Sequence, residues 1–572
     1  MRRVLPLLMI GTALSANAQS VSLSQRFGVN GSLSIPGAAG GNDANSHVFT
    51  ADGHMIVAGD GYDFGCNCYH VTMAKFDTVC GALDPGFGTA GIMSHIHEGR
   101  TSCGGIALQP DGKIVGCGTI APGNDGSAQV AGVYRFNADG TVDSTFNGTG
   151  YVRQRFDPVS SGDFFQVFVN ADSTITCAGA SSSNSNGGVY AVGAMRFNYD
   201  GTLDTTFSAD GIATSPPAGS ITDATVMSFG TAAMDASGRL IVAGSNYYDQ
   251  FLRMVRFMPN GDLDTTFGSG GIVTTGVGCY YGGGAGGYGL TVLPDGRILF
   301  SSQVPVAAFM MARFLEDGTL DTSFGTGGMS TVPVANGQAY DHAVLPDGGS
   351  LQFGRSDDGY GTCLRRDADG QVVATYGTNG FGTAYAGDSG PFFRGGALLP
   401  SGRVVGYGGY WPGLMLVAML TTEPEVDALP VISQSGTDLV TTGTGDFQWF
   451  LDGSPISGAT DTLYTPIANG DYTVVLTVSP DCIFTSPVYT LLNVGVEEFT
   501  VTGLYLITNP VNDVLRIVND GATTPCAIVD AGGRTVMQEQ LFTGANNVDL
   551  SSLRPGLYLL RTAVGAVRFV KE

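Results

Sequence analysis

A chain of 572 residues with 43% hydrophobic side chains is too long for one core and too apolar for disorder, so several packed domains are expected. Charged residues make up only 13%, and 26 Lys plus Arg stand against 50 Asp plus Glu; the net charge of −24 argues against nucleic-acid binding. With 87 glycines and many Thr, Val and aromatic residues, the composition points to short strands joined by tight turns.

The chain opens MRRVLPLLMIGTALSANAQS. Arg2 and Arg3, the apolar run Val4 to Leu14 and the small-x-small step Ala16-Asn17-Ala18 read as an export signal over residues 1–18, with Gln19 the first mature residue. No later apolar stretch approaches the roughly 20 residues of a membrane-spanning helix. The ten cysteines are irregularly spaced; one or two bridges are expected, among Cys66, Cys68 and Cys80, with several buried free thiols.

Three motifs then recur in fixed order. Aromatic steps fall at Phe27, Phe87, Phe146, Phe207, Phe267, Phe324 and Tyr376, at intervals of 52 to 61 residues. Asp-Gly steps such as LPDGRIL keep pace with them, and so do Arg-Phe steps such as MARF. Each repeat offers four strands: one after the Phe-Gly-x-x-Gly step, one running into Asp-Gly, one leaving it and one carrying Arg-Phe. Asp295-Gly296 between apolar runs signals a hairpin. In Leu-Asp-x-x-Phe the Asp can accept a backbone N–H two residues on, an Asx-turn. A lone four-stranded sheet cannot bury both faces, whereas a ring of sheets can. The expected fold is therefore all-β: a seven-bladed β-propeller over 19–420, followed by two small β-sandwich (Ig-like) domains.

GDLDTTFGSGG, LPDGRIL and MARFLEDG resemble the delta-60 repeat, a bacterial extracellular family whose propeller-like fold implies no defined enzymatic activity. The departures are Tyr376, Asp172-Ser173 in place of Asp-Gly, and Val373 where Asp is usual. Residues 421–430 read as a linker. Over 431–496, Phe447 to Phe450 with Trp449, the Asp452-Gly453 turn and Gly470-Asp471-Tyr472 suggest an Ig-like or PKD-like sandwich, similar to the spacer modules of Bacteroidetes surface proteins. Cys482 has no evident partner within it. Residues 500–572 resemble the type A sorting domain of the type IX secretion system at Asn509, Pro510, Asp530, Gly533, Gly556, Tyr558 and Lys571, with Ile507-Thr508 where the family has Tyr-Pro. That resemblance implies handling by the type IX machinery and delivery to the cell surface or the medium.

No catalytic constellation stands out: there is no Gly-x-Ser-x-Gly elbow, Walker loop or His-Glu-x-x-His. The recurring Asp84, Asp143, Asp204, Asp264 and Asp321 read as turn caps, and Arg135, Arg196, Arg256 and Arg313 as bridges between blades. In an up-and-down blade the uniform Asp-Gly and Leu-Asp-x-x-Phe loops share one face, so function is expected on the variable opposite face. There Cys66, Cys68, His70, His95 and His97 offer a zinc or copper site, against the favoured reading of loop histidines plus a local disulfide. Tyr62, Tyr69, Tyr247, Tyr248, Tyr280, Tyr281, Tyr410 and Trp411 can stack on sugars or anchor a protein, against plain loop packing. No cofactor is expected beyond a structural calcium or zinc. The favoured function is an exported, non-enzymatic binding or adhesion protein for a glycan or protein. The alternative is a secreted propeller lyase or hydrolase with a central-channel or metal site, which a perturbed acid or His in the channel would favour.

Overall fold

The computed structural model describes residues 22–28, 32–35, 42–63, 65, 67–122, 129–156, 161–183, 189–215, 229–245, 250–279, 288–304, 308–334, 337–356, 360–384, 392–399, 401–410, 414–421, 428–480, 482–492, 503–507, 509–563 and 565–572. The export-signal reading lies outside these residues. By Cα proximity the chain divides into one unit of Met1–Val431, Thr442–Phe447 and Val475–Ser486, and a second of Ile432–Thr441, Gln448–Val474 and Pro487–Glu572.

Among the described residues every regular element is a strand. The strands before Pro430 make seven four-stranded groups in six antiparallel sheets, the first and last groups being joined into one nine-stranded sheet by the pairing of Asp43 with Gly409. Blade 1 is Asn42–Phe49, His54–Asp63, Cys68–Asp77 and Ile92–His95. Blade 2 is Gly105–Leu108, Ile114–Ala121, Val130–Phe136 and Tyr151–Gln154. Blade 3 is Ser161–Val169, Ile175–Ser183, Val189–Phe197 and Ile212–Thr214. Blade 4 is Phe229–Met234, Leu240–Ser245, Phe251–Phe257 and Ile272–Gly278. Blade 5 is Gly289–Val292, Ile298–Val304, Ala308–Phe314 and Met329–Pro333. Blade 6 is Gln338–Val344, Ser350–Arg355, Gly361–Arg366 and Phe381–Ala384. Blade 7 takes Phe392–Leu398, Val404–Tyr410 and Leu414–Thr421 from its own stretch of chain.

The fourth strand of blade 7 comes from the other end of the chain. Ser32–Ile35 pairs antiparallel with Leu414–Thr421, Ser32 opposite Ala418 and Ile35 opposite Met415, and Ser22–Leu23 extends the pairing to Thr421. The strand after each Phe-Gly step is thus the outermost strand of the blade before it, and the first such strand closes the ring. The first strand of every blade contacts that of the next in cyclic order, blade 7 returning to blade 1, so these inner strands surround the channel.

The repeated motifs hold the ring from outside. Asp264 Oδ1 accepts the Thr266 amide at 3.1 Å and hydroxyl at 2.6 Å, the expected Asx-turn, while its Oδ2 takes Arg256 Nε at 2.7 Å. Arg256 also donates to the Glu316 carbonyl of blade 5 and lies 4.4 Å from the centroid of the Phe267 ring. Arg135, Arg196 and Arg313 repeat this arrangement with carbonyls of Tyr199, Pro259 and Ala368. Each aromatic side chain drops between blades, and the connector glycine of the next blade lies against it: a Cβ on Gly318 would sit 2.8 Å from Phe267. In the Asp-Gly hairpins of the blades only the glycine takes positive φ, +86° at Gly296; Asp295 instead accepts the Arg297 amide at 3.1 Å. Blade 6 departs where its sequence does. Val373 leaves Arg365 without the usual Asp, and Arg365 pairs with Asp347. Arg366 fills the Phe position, fully buried, bonded to Ser330, Gln352 and the Phe309 carbonyl.

The disulfide expectation needs correction. Cys80 is bonded to Cys482, 402 residues away, and Cys68 is also disulfide-bonded. Asp77 Oδ1 accepts the amides of Val79 and Cys80, holding the turn that presents the Cys80 sulfur. Cys103, Cys117, Cys177, Cys363 and Cys526 are free thiols buried as small hydrophobes, and Cys279 is buried too.

Beyond Pro430 come a three-stranded sheet of Ile432–Ser435, Asp438–Thr441 and Leu463–Tyr464, and a five-stranded sheet built on Asp446–Leu451 and Gly470–Ser479. Trp449 is fully buried, its ring 5.8 Å from Tyr464, which is 5.9 Å from Tyr472. The tail is again two sheets: Leu504–Leu506, Val514–Asn519 and Gly544–Asp549 in one, and Thr535–Leu541, Thr524–Asp530, Gly556–Thr562 and Gly565–Lys571 in the other. Leu515, Ile517, Ile528, Leu560 and Phe569 fill the core between them.

Candidate functional site

The inner strands begin at the variable-loop end of the ring. Four of them slip register by one residue near that end: between Ala44 and Ser46, Phe164 and Gln166, Ala339 and His342, and Phe393 and Gly395. Such bulges re-aim side chains. They lie at Asn45, Phe165, Tyr340-Asp341 and Arg394, which gives the channel mouth its polar and aromatic groups.

Blades 6, 7 and 1 supply the densest part. Arg394 Nη2 meets Asp43 Oδ2 at 2.8 Å, and its guanidinium lies 5.3 Å from the Phe392 ring and 5.7 Å from the Tyr340 ring. Asp60 accepts the Cys103 amide at 2.5 Å and the Asn45 side-chain amide at 3.3 Å. Burial lifts Asp60 to about 6, helped by Asp163 and Asp43 and opposed by the Cys103 amide and Arg394. Asp163 is also raised by burial, against a 2.7 Å bond from the Thr119 hydroxyl and the field of Arg100. Solvent still reaches the Asp163 side chain, so protein and channel water both surround it.

Asp341 is the most perturbed carboxylate of the channel. Burial pushes it up to about 7, with only the His342 amide, at 2.8 Å, pulling the other way. Two glycines make room for it. A Cβ on Gly289 of blade 5 would lie 2.7 Å from Asp341 Oδ1, and one on Gly395 of blade 7 would lie 3.0 Å from Oδ2 and 2.4 Å from the Tyr407 hydroxyl. Tyr407 is in turn 2.9 Å from His47 Nδ1 on blade 1. Burial lowers His47 to about 4, so it is neutral, and raises Tyr407, with Asp341 adding to the rise. His342 Nδ1 bonds the Ser301 hydroxyl at 2.8 Å. Its buried Nε2 has no hydrogen-bond partner among the described residues.

The side chains singled out from the sequence sit elsewhere. Cys66, Tyr247, Tyr248, Tyr280, Tyr281 and Trp411 lie outside the described residues, and of Tyr410 only the strand position is described. Cys68 is disulfide-bonded, so its sulfur is not a free thiolate. His95 and His97 have ring centroids 4.4 Å apart, and His97 packs on Tyr134, Phe136 and Tyr151. Burial lowers His97 to about 3 and also lowers His70 and His95. One trio of metal-capable side chains converges among the described residues, Asp77 with Cys80 and Cys482, and its two sulfurs are bonded to each other. Cys68, His70, His95 and His97 do not form such a set. Tyr62 and Tyr69 face each other across their hairpin at 5.0 Å, with Arg100 4.3 Å from the centroid of Tyr69.

In the tail, Asn509 Oδ1 accepts the Val570 amide at 2.9 Å, and Lys571 Nζ meets Asp513 at 2.9 Å. Asp530 Oδ1 accepts the Gly532 and Arg534 amides in a turn whose Gly533 has φ of +77°. The Tyr558 hydroxyl donates to the Arg554 carbonyl at 2.9 Å. Asn509 and Lys571 thus tie the two ends of the module together, while Asp530 and Tyr558 hold local turns.

Comparison with known families agrees with this architecture. Residues 109–146, 171–207, 236–267 and 293–324 match the beta-propeller domain of unknown function DUF5122, each match running from near the hairpin between a blade's first two strands to the following aromatic residue. Residues 507–572 match the secretion system C-terminal sorting domain. The chain is therefore an exported β-propeller repeat protein that carries a type IX sorting domain and is delivered to the cell surface or the medium. No curated protein matches it by sequence. Among solved structures it is similar to polysaccharide lyase Uly1, at 12% identity and a TM-score of 0.39 over 66% of this chain and 90% of that one. It is also similar to a glucose dehydrogenase, at 15% identity and 0.34 over 55% and 95%. The beta-propeller domain of the Trilobed protease from Pyrococcus furiosus follows at 9% and 0.33 over 73% and 97%. None of these likenesses bears on what the chain does. No helix of the described residues is long and apolar enough to cross a membrane.

Proposed function

We propose that this exported protein is a non-enzymatic binding protein whose channel mouth takes a glycan. The observation that carries this reading is the convergence of Asp43, Asn45, Tyr340, Asp341, Phe392 and Arg394 from blades 1, 6 and 7 at the variable-loop end. Carboxylate, amide and guanidinium groups bond sugar hydroxyls, and rings cover the apolar faces of pyranoses. The variable loops over a rigid ring suit a site selected for one ligand class. The test is a glycan array probed with the full mature chain, followed by Asn45→Ala and Phe392→Ala. Specific glycan signal that both variants weaken supports the reading; no glycan signal, or signal that both variants leave unchanged, removes it.

A second reading, catalysis in the same channel, is favoured by Asp341, a carboxylic acid poised near neutral pH beside Tyr407. A lyase or hydrolase would cleave the glycan the array identifies, and Asp341→Asn would abolish that cleavage while sparing binding.

A further inference from the structure

The seam between blade 7 and blade 1 is built differently from the others. In blades 2, 3, 4 and 5 the recurring arginine pairs with the turn aspartate and reaches a carbonyl of the next blade, as Arg256 does with Asp264 and Glu316. Blade 7 has Met419 at the arginine position and Ser24 at the aspartate position, in Leu23-Ser24-x-x-Phe27. Met419 is fully buried, and the buried Ser24 hydroxyl has no hydrogen-bond partner among the described residues. The charge-assisted bridge is therefore missing where the two ends of the ring meet.

A cysteine-bearing turn stands there instead. In blades 2 to 6 the turn after the third strand ends in Asp-Gly or Asn-Gly. The carbonyl of that residue (Asp139, Asp200, Asn260, Asp317 or Asp369) accepts an amide from the preceding blade at 2.7 to 2.9 Å. In blade 1 the turn runs from Asp77 to Gly81, one residue longer, and the acceptor is Cys80, whose carbonyl takes the Gly28 amide at 2.7 Å. Arg403 of blade 7 donates to the Thr78 and Val79 carbonyls of the same turn at 3.0 and 2.8 Å. The third attachment is the disulfide to Cys482, which lies beyond blade 7 in sequence and in the same compact unit as the blades. The bond closes a span of 402 residues that carries blades 2 to 7 into a covalent circle.

We propose that Cys80–Cys482 is a covalent latch on the ring, and that a dithiol reductant releases it and loosens the seam between the last blade and the first. With the bond in place, the strand Ser32–Ile35 can peel from Leu414–Thr421 while the cross-link holds both sides together, so reclosure is an intramolecular step. Without it, hydrogen bonds and packing alone hold the seam. The exchange begins at the half-buried Cys80 sulfur, since Cys482 is buried. Attack there breaks the S–S bond and releases Cys482 as a thiol, its sulfur 3.1 Å from Asp77 Oδ1. The second sulfur of the reductant then displaces Cys80. The dithiol leaves as a disulfide, and its two protons end on the two cysteines.

The test is amide hydrogen exchange on the full mature chain in three forms: oxidised, reduced with dithiothreitol, and as Cys80→Ser with Cys482→Ser. Peptide mapping without reductant should find Cys80 joined to Cys482 in the oxidised form. The reduced and variant forms should exchange about tenfold faster or more at Ser32–Ile35 and Leu414–Thr421, while Leu240–Ser245 in blade 4 keeps its protection. Unchanged exchange at the seam overturns the latch. So does an equal rise in blade 4, which marks a general loss of stability, and so does a bond from Cys80 to any other cysteine. Should the double variant fail to fold, reduction of the folded chain decides, repeated on Cys68→Ser so that the other bridge plays no part.

Discussion

Arg394 on blade 7 holds Asp43 on blade 1 at 2.8 Å, across the seam where the last blade meets the first. The Tyr407–His47 bond crosses the same seam at 2.9 Å. The polar cluster at the channel mouth therefore depends on ring closure, which the strand Ser32–Ile35 completes.

Arg394→Met should cost little stability, about 1 kcal/mol or less, because Asp43 is 38% exposed and water replaces the lost partner. Its effect should appear at Asp60, which loses a nearby positive charge and rises further. Carboxylate titration by NMR in wild type and variant would measure this. An Asp60 midpoint that stays put or falls would contradict the placement of Arg394.

Asp341 gives a pH signature with a definite sign. Its folded value is about 7, against about 3.9 for an unfolded Asp. The folded state thus holds the proton more tightly, and the resulting stability is complete below about pH 3.9 and lost as pH rises through 7. D341N has no such proton. Relative to wild type it should gain stability between pH 5 and pH 8, on the order of 1 kcal/mol given that channel water softens the burial. Urea unfolding at both pH values reads this directly; a difference that does not change with pH would rule it out.

Arg256 ties Asp264, the Glu316 carbonyl and the Phe267 ring together. Arg256→Met leaves buried Asp264 with only Thr266 and the more distant Arg239, 3.9 Å away, and should cost about 2–3 kcal/mol. The comparison is Lys75→Met, at the same place in blade 1, where Lys75 meets Asp84 and Asp52 and both carboxylates are better solvated. Thermal melts in which the two variants lose equal stability would contradict the interblade role of the arginine.

Arg366 is a buried cation bonded only to neutral groups, and burial lowers it to about 9. Restoring the usual aromatic residue together with an apolar partner, Arg366→Phe with Gln352→Leu, should stabilise blade 6 by about 1–4 kcal/mol. Destabilisation of the double variant in chemical denaturation would show that the arginine is required there.

What the sequence disclosed was whatever repeats. Phe267, Asp264 and Arg256 recur with their neighbours, so their turn and bridge roles could be read from spacing alone. Asp341 occurs once, in QAYDHAV, and nothing local distinguishes it. It becomes a site only when a bulge and two glycines from other blades surround it. Cys482 has its partner in the first blade, a pairing no local pattern encodes. Ser32–Ile35 is too short to announce that it closes the ring. His95 and His97, conspicuous in SHIHEGR, pack against each other and against aromatic rings, because a neutral imidazole is also a good core side chain.

Amide hydrogen exchange on the full chain and on a variant lacking residues 22–35 tests the closed ring, and hence the site at its seam, most directly. With the ring closed by Ser32–Ile35, the amides of Leu414–Thr421 should exchange slowly in the full chain. In the variant they should become fast, and protection should also fall at His47 and Tyr407. Unchanged protection of Leu414–Thr421 after the deletion would contradict the account.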